Sequence, residues 1–137
     1  MRDFRKLIGW QKAHLLAVAV HRAGEEVRAG TAPGLRAQLL RAASSISANL
    51  AEGSGKRSEG EFVRYIDIAL GSARELENHL TLARDVGCLH PDVADRLLSD
   101  TDEVGRILFS LARVVRARSL AAKEAKIVEV KEASATD

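Results

Sequence analysis

The sequence predicts an all-α fold, an antiparallel up-down bundle of four helices, and three observations carry that expectation. Ala, Leu, Arg and Glu dominate, aromatics make up only 4 %, and the two prolines, Pro33 and Pro91, stand far apart. That balance favours long helices over short strands. Four stretches carry apolar residues at alternating three- and four-residue steps, the periodicity of one helix face. Between them stand stop-start clusters near Gly30–Pro33, Gly53–Ser58 and Gly87–Pro91, and connections this short lay successive helices side by side in opposite directions.

The first helix is expected from about Phe4 to Arg28, with Leu7, Trp10, His14, Ala17, His21 and Gly24 on one face. Gly30, Thr31, Pro33 and Gly34 break the pattern, and Pro33 suits the first turn of the next helix, where its missing N–H costs nothing. The second helix is expected from about Pro33 to Glu52, burying Leu35, Leu39, Ala42, Ile46 and Leu50. Gly53-Ser54-Gly55 is expected to supply the left-handed residue that helix ends favour. Ser58 with Glu61 three residues on reads as a capping box, the Ser side chain satisfying a free backbone N–H of the first turn and the Glu reaching back to the cap's own N–H.

The third helix has the cleanest register: Phe62, Ile66, Ala69, Ala73, Leu76, Leu80 and Ala83 keep one seam over three heptads, and Gly87 ends it. Pro91-Asp92 opens a fourth helix whose Leu97, Thr101, Val104, Leu108, Leu111 and Val115 repeat the spacing to about Ser119. The predicted core is Leu39, Ile46, Ile66, Leu76, Leu80, Val104, Leu108 and Leu111. A chain of 137 residues fits one domain with one core. Residues 1–120 form that domain, and 121–137, rich in Ala, Lys and Glu, read as a frayed helix extension and a mobile polar tail.

A single cysteine, Cys88, leaves no internal disulfide and no cysteine-cluster zinc site. No apolar leader opens the chain, and Arg or Glu interrupts every stretch long enough to span a bilayer. A cytoplasmic protein with no membrane partner is expected.

Glu52 and Glu75 would be the acid/base or metal-ligating pair of an enzyme, but a carboxylate-bundle metal site needs paired Glu-x-x-His motifs. Here Glu75 is followed by Asn78 at the third position and by His79 only at the fourth, and Glu52 has no histidine within a turn. Capping and hydrogen bonding are the expected roles, with Gly71 and Ser72 letting backbones approach. His14 and His21 lie two turns apart, about 10 Å, too far for one metal ion, and are expected to pack, partly buried. Ser44, Ser45 and Ser47 precede no strand-to-helix elbow. Gly53-Ser54-Gly55-Lys56 superficially resembles a phosphate loop but follows a helix and lacks the Lys-Ser/Thr ending. Phe4 and Trp10 are expected in the core rather than under nucleobases. No catalytic residue, cofactor or metal is expected.

Residues 35–57 read Leu35-x-x-Gln38-Leu39-x-Arg41-Ala42-Ala43-x-Ser45-Ile46-x-x-Asn49-Leu50-Ala51-Glu52-Gly53, running into Lys56-Arg57. With Phe62, Tyr65, Ala69-Leu70-Gly71-Ser72-x-x-Glu75-Leu76-Glu77, Leu80, Ala83-Arg84 and Gly87-Cys88-Leu89, and the opening Phe4-x-x-Leu7-x-x-Trp10-x-x-Ala13, this resembles the four-helix proteins encoded in intervening sequences of bacterial 23S rRNA genes, also labelled S23. The resemblance spans about residues 4–90 in register; the fourth helix agrees only in kind. The loop 29–35 departs from the family pattern, being shorter and without aromatics. The resemblance implies a ring-like homopentamer. It also implies kinship with the accessory protein of diversity-generating retroelements, for which nucleic acid and a reverse transcriptase are the expected partners of a basic surface.

Charge gives the same direction from the residues themselves. Net charge is +2, yet residues 1–60 carry ten Lys/Arg against five Asp/Glu, and residues 61–137 eleven against fourteen. Arg2, Arg5, Lys6, Lys12, Arg36, Arg41, Lys56 and Arg57 are therefore the expected contacts to an RNA or DNA backbone, a surface that ring symmetry would repeat into a band. The third helix carries a second, mixed stripe of Tyr65, Ile68, Ser72, His79, Leu82 and Val86, the expected oligomer interface. Function is thus expected to be binding without catalysis. The alternative is an adaptor that docks protein partners and touches no nucleic acid.

Overall fold

The computed structural model describes residues 2–27 and 32–136. A 3-10 turn at Phe4–Lys6 leads into α1 (Ile8–Gly24), α2 (Leu35–Ser54), α3 (Glu59–Asp85) and α4 (Pro91–Ala135), and no strand occurs among the described residues. Gly24 of α1 lies against Leu40 at the start of α2, and Gly53 at the end of α2 lies against Phe62 of α3. Ser45 meets Ser72 near the middle. Arg116 of α4 reaches Asp67 of α3 while Arg84 reaches Asp95, and Lys12 of α1 reaches Glu103 of α4.

One core runs between the four helices. The whole α3 seam from Phe62 to Ala83 is buried as its heptad spacing predicts, and so is the α2 seam from Leu35 to Leu50. Leu97, Thr101, Val104, Leu108 and Val115 of α4 are buried too, but Leu111 is half-buried and Ala112 takes its place. The Thr101 hydroxyl is satisfied by the Leu97 carbonyl at 2.7 Å, as a buried donor must be. Asp85 and Asp95 clamp Arg84 across the α3–α4 turn at 3.0 and 2.9 Å. The bond to Asp95 first, then that to Asp85, raises the guanidinium pKa further.

Helix ends depart from the sequence reading in several places. The first helix breaks at Leu7, whose backbone is extended, so Phe4–Lys6 forms a separate turn capped by Asp3. The α1 seam is Gly9, Ala13, Leu16, Ala17, Val20 and Gly24, rotated by about one residue from the expected face. His14 and His21 consequently face solvent. Gly34, with φ +83°, precedes α2, which leaves Pro33 outside the helix. Gly55 ends α2 at φ −84°, so no left-handed residue closes it, whereas Gly87 ends the third helical stretch at φ +79° as expected. Arg28, the expected end of the first helix, and Gly30 and Thr31 of the predicted first break lie outside the described residues. Ser58 does accept from the Glu61 N–H at 3.1 Å, and Pro91 does open α4.

The largest difference is the length of α4, which continues unbroken to Ala135, well past Ser119, with every residue from Leu120 to Thr136 exposed. Ala, Lys and Glu have high helix propensity, and a helix already nucleated in the bundle extends at little cost.

Candidate nucleic-acid interface

The turn between α2 and α3 is fixed by close packing. A Cβ on Gly53 would collide with the Cβ of Tyr65 and stand 3.1 Å from the Phe62 ring, so only glycine lets the end of α2 lie this near α3. Tyr65 donates its hydroxyl to Glu52 at 3.2 Å, and the Lys56 ammonium sits 5.2 Å from the Tyr65 ring centroid, a cation–π contact. Lys56 and Arg57 are thereby held at one end of the bundle.

Two surface depressions flank them. Arg2, Gly55, Lys56 and Arg57 line the first. Arg57 also lines the second, with Lys123 and Lys126 from the overhanging part of α4, because Ser119 packs beside Gly60 at the start of α3. Arg2 is committed within the chain: it is ion-paired to Glu59 and lies 4.6 Å over the Phe62 ring. Among the described residues, Arg57, Lys123 and Lys126 have no ion-pair partner. Lys123 and Lys126 escaped the sequence reading because it assigned them to a tail; the unbroken Ala/Lys/Glu pattern after Ser119 was the signal that the helix continues beside the turn.

The other expected cations do not gather here as one surface. Arg5 and Lys6 belong to the neighbouring 3-10 turn, where Arg5 is 3.6 Å from Asp3 and stacks over Phe4. Lys12 pairs with Glu103 at 3.1 Å and Arg41 with Glu75 at 3.2 Å. Arg36, exposed, stands at the far end of α2, roughly 27 Å away by helix rise. Phe4 and Trp10 are half-buried; Trp10 packs against the core, edge-on to Phe4 and stacked on His14 at 4.8 Å.

The expected interface stripe divides. Ile68, Leu82 and Val86 are exposed at 44 %, 47 % and 55 %. Tyr65 and Ser72 turn instead toward α2, and His79 is half-buried. Ser72 is buried and shares a hydrogen bond of 2.8 Å with Ser45, whose oxygen also accepts from Asn49 at 3.0 Å, and His79 lies 3.4 Å from Glu75. Glu52 and Glu75 thus sit in separate networks, each engaged with its own partners. Gly71, expected to permit close approach, opens onto a groove instead; among the described residues Gly53, Gly9 and Gly24 are the glycines at close contacts with a neighbouring helix.

The model of the 23S rRNA-intervening sequence protein family matches residues 5–110. The chain belongs to this family. The match reaches twenty residues further into α4 than the sequence resemblance did. A solved relative supports the same fold: the crystal structure of a protein of unknown function from the S23 ribosomal protein family of Bacteroides thetaiotaomicron superposes with a TM-score of 0.72 at 24 % identity. It covers 77 % of this chain and 98 % of its own. At that identity the likeness is one of fold. No curated protein matches the chain. No helix among the described residues is long and apolar enough to cross a membrane.

Proposed function

We propose that this member of the intervening-sequence family is a cytoplasmic, non-enzymatic binding protein that holds RNA or DNA by its phosphate backbone. The observation that carries this reading is the meeting of Lys56 and Arg57 with Lys123 and Lys126 around one end of the bundle. Cations without carboxylate partners attract a polyanion without regard to sequence, since phosphate contacts carry affinity and no base readout.

Opposed contact pairs along neighbouring helices support an antiparallel up-down bundle. Exposed Ile68, Leu82 and Val86 on the outer side of α3 support self-association, a homopentameric ring by family resemblance. In such a ring each subunit would present one basic end to a shared strand.

Binding of generic RNA and duplex DNA across a salt series tests the reading. Log affinity is expected to fall linearly with log salt, with a slope of about −0.9 per neutralised phosphate on duplex and about −0.7 on single strands. No binding even at ~50 mM salt would leave a protein adaptor, with a reverse transcriptase or another protein as partner. Light scattering tests the assembly, and a mass of 14.8 kDa at micromolar concentration would refute it.

A further inference from the structure

The overhang of α4 lies beyond the family match, which ends at residue 110, and α4 runs to Ala135. Leu120, Ile127, Val128 and Val130 on it are 56 %, 54 %, 53 % and 63 % exposed. Ile and Val are mediocre helix formers that are normally kept in helices by packing, and among the described residues these side chains are left more than half exposed.

The pattern of the overhang indicates what covers it. Lys123 and Lys126 face the α2–α3 turn. On another face, heptad spacing stacks Leu120 with Ile127 and Ala121 with Val128, and Glu124 with Lys131 runs between those two columns. An apolar seam with one acid and one base seven residues apart along its centre has a self-complementary arrangement. In an antiparallel copy, Glu124 stands opposite Lys131 and Lys131 opposite Glu124, with Ile127 against Val128 at the two-fold axis. A parallel copy in register would set Glu on Glu and Lys on Lys, which repels.

We infer that the α4 overhang is a dimerisation arm that pairs antiparallel with the same segment of a second copy of this chain. The contact is isologous, so it closes on itself and joins two molecules, or two rings, end to end. It uses no residue of the α3 stripe, and it leaves Lys56 and Arg57 uncovered by any contact the pairing requires.

Charge reversal in the full-length chain tests the arm, read as mass by light scattering. Glu124→Lys alone is expected to halve the mass of the parent assembly, and Lys131→Glu alone to do the same. The double variant Glu124→Lys/Lys131→Glu restores the parent mass, because the pair is reconstituted with signs exchanged. Ile127→Asp halves the mass with no rescue. Equal masses for the parent and every variant would overturn the inference. So would loss in Ile127→Asp without any effect of the single reversals, the result expected if the arm instead docks in the α3–α4 groove beside the exposed Phe109 of a neighbour.

Discussion

The α2–α3 seam and the overhang of α4 are both regular helix, yet they differ in what holds them. Between α2 and α3, Leu39, Ile46, Ile66 and Leu76 are fully buried, Gly53 brings the backbones together, and Ser45 and Ser72 satisfy each other. Along the overhang, from Leu120 onward, the described side chains are exposed and the charged ones alternate in sign. Stability and a unique register come from the first region, and the proposed partner surfaces lie in the second and in the turn beside it. Mutations should therefore separate cleanly: seam variants lower stability, and variants at the basic end change binding alone.

Leu76→Ala sharpens that contrast most. It removes a fully buried side chain from the centre of the seam, and chemical denaturation is expected to show a loss of roughly 2–5 kcal/mol. A loss below about 1 kcal/mol would show that the seam relaxes around the cavity and is not the rigid part of the molecule. Gly53→Ala comes next. Its methyl group meets the Tyr65 Cβ, which only a backbone shift relieves, and overpacking of this kind costs about 1–3 kcal/mol. Thermal melting would reveal it, and an unchanged melting point would mean that the end of α2 is free to move. Ser72→Ala is smaller, about 0.5–1.5 kcal/mol, since Asn49 still donates to the Ser45 oxygen.

How far the molecule was legible in the sequence follows the same division. In α3 one apolar stripe runs unbroken through seven positions, while the second stripe is interrupted by Ser72 and His79, so the buried face stood out. In α1 apolar residues point in most directions, and Ile8 and Leu15 end up 65 % and 63 % exposed. Two stripes one residue apart competed there, and the expected face included His14 and His21, which the structure turns to solvent. Trp10 is half-buried, packed against the edge of the core and stacked on His14. Lys56 and Arg57 could be placed at the end of α2 from the sequence because they follow a glycine-rich helix stop. The engagement of Lys12 and Arg41 with Glu103 and Glu75 could not, since those carboxylates lie on other helices. Lys123 and Lys126 were missed because their position depends on α4 passing Gly60, a tertiary fact.

At the basic end, Lys56→Glu/Arg57→Glu is expected to leave stability within about 1 kcal/mol, the scale of the one cation–π contact it removes. A larger loss would mean that the turn belongs to the rigid part of the molecule after all. The central claim is that phosphate binding resides at this end and not on every exposed cation, and fluorescence anisotropy with labelled RNA and DNA tests it most directly. Three proteins suffice: the parent, Lys56→Glu/Arg57→Glu, and Arg36→Glu at the far end of α2. The double variant is expected to bind both nucleic acids at least about tenfold more weakly, with the salt slope on duplex shallower by about 1.8 for two lost phosphate contacts. Arg36→Glu should match the parent. Equal weakening by Arg36→Glu, or parent-like binding by the double variant, would contradict the account.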